Sequence, residues 1–153
     1  MRASPKYSDI PTIQRVFIGL SHSITVIVGL PILMITGTSV VFLICPVISY
    51  LICRRYRKLQ LSWLSHQAFQ GTIMNLLIGL STFAALEFNL SDRLTLSLLG
   101  ASFIGSLYTL WGALDTVLGF DFDYIVIGRL SRKVSEVNQG RQRFKDPYSN
   151  DRP

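Results

Sequence analysis

Five polar side chains stand inside otherwise apolar stretches of this chain, and their types could do chemistry there: His22, His66, Gln67, Gln70 and Asp115. His22 lies seven residues past Arg15, His66 eight past Lys58, and Asp115 six before Asp121. If those charges mark one membrane surface, the five share a depth and form an intramembrane polar cluster. Ionisable groups in such a place are functional candidates by default. Hydrogen bonding between helices would give the same cluster a purely structural role. A neutral imidazole also ligates metals, so His22 or His66 could hold a haem or chlorophyll. Two histidines without a spacing motif do not establish that chemistry, and no cofactor is expected. No group with metal-ligand spacing, and no serine or cysteine with an activating base, accompanies them. No metal site and no catalysis are expected, and the chain reads as non-enzymatic.

A second pattern concerns packing. Gln67, Gly71, Asn75 and Gly79 recur every four residues, which places a small and polar stripe on one face of a helix. Ala101, Gly105 and Thr109 make a similar stripe further on. Small residues let helix backbones approach, and an amide in lipid needs a partner, so these faces are expected to meet each other or a partner subunit. The acids of "FDFD" at 120–123 read as solvated at a membrane surface. "NLS" at 89–91 matches a glycosylation acceptor, which matters only in a secretory-pathway membrane.

The elements that carry these residues follow from charge. Val16 to Cys53 contains no Lys, Arg, Asp or Glu. As one straight helix it would reach about 57 Å, against a hydrocarbon core of about 30 Å. Leu61 to Leu86 and Leu94 to Gly119 are each long enough to cross. If the first run folds as a hairpin, there are four spans, and of the 15 lysines and arginines only Arg93 lies on the far side. A single span there would divide the N-terminus from Arg54, Arg55, Arg57 and Lys58, against the positive-inside bias. The expected fold is therefore all-α: a polytopic bundle of four transmembrane helices with both termini on the cytoplasmic (stromal) side.

Its spans are placed at about 14–35, 39–54, 61–87 and 94–119, after an N-terminal segment at 1–13. The hairpin turn is expected at 36–39 with a kink at Pro31, the alternative being a turn at Gly29 to Pro31. An interfacial amphipathic segment follows at 120–137, with Tyr124, Ile127, Leu130 or Val134, and Val137 at helical spacings, and a disordered polar tail at 138–153. Hydrophobic residues make up 49% of the chain and charged residues 16%, with a net charge of +6. The basic hinge Arg54, Arg55, Arg57 and Lys58 is assigned to lipid headgroups. With no soluble domain to present a basic face, nucleic acid is excluded as a partner. Cys45 and Cys53, eight apart on one helix, are too distant for a disulfide.

"LSH" at 20–22, "PVISYLICRR" at 46–55, "QAFQGTIMNL" at 67–76 and "YIVIGRL" at 124–130 resemble motifs of a family of small four-span membrane proteins. That family includes the twenty-kilodalton subunit of the Tic translocon of the chloroplast inner envelope and bacterial relatives of unassigned function. Leu20, His22, Pro46, Tyr50, Leu51, Tyr124, Arg129 and Leu130 match the bacterial pattern by position. Ala68, Gln70, Gly71, Ile73 and Leu76 match the translocon branch, with Asn75 where that branch has Asp. Ile125 replaces a proline, and the histidine of the pattern is absent at Leu64, with His66 two residues on. The resemblance implies a non-enzymatic Tic-like subunit that assists protein translocation or insertion, in a bacterial inner, thylakoid or plastid membrane. Its partners would be the lipid bilayer and other membrane subunits or copies of itself. The alternative is a small accessory or assembly subunit packed against a larger membrane complex, photosynthetic or not.

Overall fold

The computed structural model describes residue 7, residues 9–59, residues 61–125 and residue 127. Among these residues every regular element is helical. Helix α1, Thr12–Ile24, passes without a break into a π-helical segment, Thr25–Gly29, and then into α2, Leu30–Thr36; the three form one rod of 25 residues. Three more rods follow: α3, Val41–Lys58; α4, Ser62–Glu87; and α5, Asp92–Leu118.

The first rod stops where Gly37 takes φ 69°, a left-handed conformation that glycine adopts without a Cβ clash. Pro31, the other place where the sequence allows a turn, sits at the start of α2 within the continuous rod. Its missing N–H falls directly after the π segment, where the hydrogen-bond ladder is already interrupted.

Contacts set the direction of each rod. Ser49 Oγ donates to Ser21 O at 2.9 Å, and Cys45 Sγ contacts Ile24 O at 3.9 Å, so α3 returns antiparallel to the first rod. α4 reverses again against α3, with Cys53 facing Ser65 O at one end and Gly79 facing Phe42 and Pro46 at the other. Gly71 lies against Ser21 and Asn75 against Thr25, so α4 runs parallel to the first rod. α5 runs antiparallel to both, placing Gly105 on Met74 and Ile78, and Ala113 and Val117 on Gly19. The result is an up-down-up-down bundle. One end holds Arg15, the α3–α4 connection and the end of α5. The opposite end holds residues 37–40 and 88–91, joined by a hydrogen bond from Ser39 to Glu87.

Thr12–Thr36, Trp63–Glu87 and Asp92–Leu118 are long and apolar enough to cross a membrane. α3 is not among them. Its last turns carry Arg54, Arg55, Arg57 and Lys58, leaving about 20 Å of apolar helix from Val41 to Cys53.

Polarity is distributed inside out. Ser21, His22, Gln67, Gln70, Asn75, Thr109 and Thr116 are buried, whereas Leu96, Phe103, Ile104, Leu107, Trp111 and Leu114 of α5 face outward. In water that outward face would form an apolar patch along a whole helix; in a bilayer it meets its natural solvent. Apolar rods with this burial mark a membrane protein.

Candidate functional site

The site forms at the end of the bundle that holds the α3–α4 connection. α5 stops at Gly119, whose φ of 84° turns the chain back, and the Phe120 N–H bonds Asp115 O at 2.9 Å. Residues 121–124 then run without regular secondary structure across the bundle end as a strap. Alternation sends Phe122 and Tyr124 inward, while Asp121 is exposed and Asp123 half-buried at the rim.

α4 grips this strap by its backbone. Gln67 Nε2 donates to Phe122 O at 2.9 Å, and Gln70 Oε1 accepts the Tyr124 N–H at 3.0 Å. The same amides reach the rim acids, Gln67 to Asp121 Oδ1 at 3.1 Å and Gln70 to Asp123 Oδ1 at 2.9 Å. Trp63 Nε1 donates to Asp121 Oδ1 at 3.1 Å, and His66 Nε2 lies 3.1 Å from Asp123 Oδ1. Gln70 Nε2 is also 2.8 Å from His66 Nε2, but one ring nitrogen cannot both donate to Asp123 and accept from Gln70. The carboxylate is the better acceptor for both donors.

The inward rings complete the closure. Tyr124 Oη meets His22 Nδ1 at 2.9 Å, and Tyr108, Phe122 and Tyr124 form a three-way edge-to-face cluster with centroids 4.9 to 5.5 Å apart. Gly112 makes room for them: a Cβ there would lie 2.7 Å from Phe122 and 3.0 Å from Tyr124 Oη. Burial, and then the neighbouring Tyr108, pushes the Tyr124 phenol well above its ordinary range, so it stays protonated. His22 Nε2 and Gln67 Oε1 are buried beside each other, and among the described residues neither has a partner of good hydrogen-bond geometry.

One level deeper, Asn75 inserts into the first rod. Its Oδ1 accepts from Thr25 N at 3.2 Å and Thr25 Oγ1 at 2.6 Å, while Nδ2 donates to Ser21 O at 2.6 Å and Gly71 O at 2.7 Å. The amide thus takes over the bond that Thr25 N–H would make to Ser21 O in a regular α-helix. The π segment begins at that residue.

His22, His66, Gln67 and Gln70 therefore come together, but Asp115 does not join them. Among the described residues no side-chain hydrogen bond links it to the network, and Asp121 and Asp123 take the acidic place. Neither acid of "FDFD" is simply solvated, because each accepts bonds from α4. Counting residues from a presumed surface cannot register a chain that folds back after Gly119. Tyr124, assigned by its spacing to the interfacial helix, is non-helical and buried instead; residues 128–153 lie outside those described.

The stripe of Gln67, Gly71, Asn75 and Gly79 meets the strap, the first rod and α3, rather than the stripe of α5. On α5, Ala101 is exposed, Gly105 packs on Met74 and Ile78, and Thr109 is buried. Arg54, Arg55, Arg57 and Lys58 are exposed at the end of α3, with Arg57 over the Phe69 ring at 5.8 Å. Sequence reading missed Trp63, Asp121, Phe122, Asp123, Gly112 and Thr25. The alternating F-D-F-D-Y was the available signal for the strap.

Among the described residues no cluster of three His, Cys, Asp or Glu could hold a metal ion. No family model, curated protein or solved structure matches this chain. The likeness to the Tic-type family rests on the quoted motifs alone.

Proposed function

We propose that this chain is a non-enzymatic integral membrane protein that crosses the bilayer four times and assists the movement or insertion of polypeptides, as a Tic-like subunit. The observation that carries the reading is the grip of α4 on a non-helical backbone. A polypeptide entering lipid must have its C=O and N–H groups satisfied by protein. Gln67 and Gln70 offer one donor and one acceptor to a passing main chain, and residues 121–124 take up both. The strap then acts as an internal stand-in that a client segment displaces.

α3 makes the fourth crossing by snorkelling: its terminal Arg and Lys stems extend the short apolar helix to the headgroups. Positive charge then places that end, with both termini, on the cytoplasmic or stromal side of a bacterial inner, thylakoid or plastid membrane. Four helices alone cannot enclose a pore wide enough for a peptide, so the role requires copies or partner subunits against the apolar face of α5.

A photo-crosslinking residue in place of Asp121, on the exposed rim, tests this in membranes that are importing or inserting a labelled polypeptide. Adducts with that polypeptide in transit are expected. Adducts with one constant neighbouring protein would replace the proposal with the accessory-subunit role. Adducts confined to the chain itself would overturn it.

A further inference from the structure

We infer that the outer face of α3 binds one anionic phospholipid of the surrounding bilayer. Val40, Ile44, Val47 and Leu51 are exposed and recur at helical spacing, and the same face continues into Arg54, Arg55 and Lys58. A groove of about 480 Å³ is lined by Leu51, Arg54, Arg55, Lys58 and Leu59.

The dimensions fit a lipid. Ile44 to Arg54 runs about 15 Å along the helix, long enough to carry the headgroup-proximal part of an acyl chain. Acyl chains would lie along Ile44, Val47 and Leu51 with the phosphate among the three cations. Tyr50, exposed one turn before Arg54, stands at the level where aromatic side chains meet headgroups.

Charge complementarity selects an anionic lipid. Among the described residues Arg54, Arg55 and Lys58 have no carboxylate partner and make no side-chain hydrogen bond, whereas Arg57 is engaged with Phe69. Their place at the C-terminus of α3 favours positive charge through the helix dipole, but the dipole acts only over the last turn and does not account for the apolar stripe leading to it. The inference needs α3 to stand in the bilayer and does not need the polypeptide-handling role.

The full chain in nanodiscs of phosphatidylcholine, with or without phosphatidylglycerol, provides the test, read by native mass spectrometry of lipid that stays bound after release into neutral detergent. The protein should retain phosphatidylglycerol selectively. Replacing Arg54, Arg55 and Lys58 together by Gln should weaken that retention by roughly 100-fold. Arg57→Gln, outside the groove, should have a much smaller effect, and Leu51→Ser should weaken retention without altering charge. All of these side chains are outward-facing, so thermal melts of the variants should match the parent. Equal retention of both lipids, equal loss in Arg57→Gln and the triple variant, or displacement of the lipid by inorganic phosphate would each overturn the inference.

Discussion

Asn75 makes four bonds at once, and two of them are donations, to Ser21 O and Gly71 O. An ionised Asp at this position could not make either donation. Asn75→Leu should lower stability by about 1–3 kcal/mol, because the buried Thr25 N–H and hydroxyl would lose the amide oxygen they share. Unfolding in detergent measures this, and an unchanged midpoint would show that the inserted amide is dispensable. Tyr124 gives a second prediction at this scale. Burial raises its phenol pKa above the unfolded value near 10, so the folded chain keeps a proton that the unfolded chain releases. Stability should hold level below pH about 10 and fall as the pH climbs beyond it. Tyr124→Phe should flatten that alkaline limb in a series of melts, while lowering the neutral plateau through loss of the bond to His22. His22 on α1 and His66, Gln67, Gln70 and Asn75 on α4 were legible in the sequence, where polar types stood out against apolar neighbours. Asp121 and Asp123 were not, because acids near a membrane surface look the same whether solvated or bonded.

At the scale of elements, close approach between helices depends on glycines that are not interchangeable. A Cβ on Gly71 would lie 2.9 Å from Ser21 O, whereas one on Gly100 would meet nothing within 4 Å. Gly71→Ala should therefore push α4 from the first rod and cost about 1–3 kcal/mol. Gly100→Ala should leave stability unchanged or raise it by up to about 1 kcal/mol through helix propensity. Equal effects in the two variants would contradict the packing described. Gly79 has a related reason. Pro46 lacks the N–H that would bond Phe42 O, and that freed carbonyl points at Gly79, where any Cβ would collide with it. The stripe on α4 was readable as a packing face from its period of four. Which helix it packs against was not, since small residues announce proximity but carry no address.

For the whole molecule, the antiparallel order of the rods puts the α3–α4 connection and both ends of the bundle core at one end, and residues 37–40 and 88–91 at the other. In a bilayer, single cysteines replacing Leu59 and Thr38 should react with an impermeant reagent from opposite sides, and Asn89 should react with Thr38. Cys45 and Cys53 are buried, so their background should be low. Reaction of Leu59 and Thr38 positions from the same side would remove α3 as a crossing, and with it the proposed orientation and lipid site.

The sequence by itself determined that this is a helical membrane protein and that its long uncharged run must reverse once, at 36–39 or at 29–31. Both follow from segregation of charge and from the length of helix a bilayer accepts, which are local properties of the chain. Tertiary structure decided what the buried polar groups bond to. The strap returns through the left-handed turn at Gly119, the Asn75 amide opens the first rod into a π segment, and two carboxylates replace Asp115 in the network. Those pairings join residues about fifty positions apart or more, and a buried amide or imidazole is satisfied equally well by any partner that the fold brings within reach.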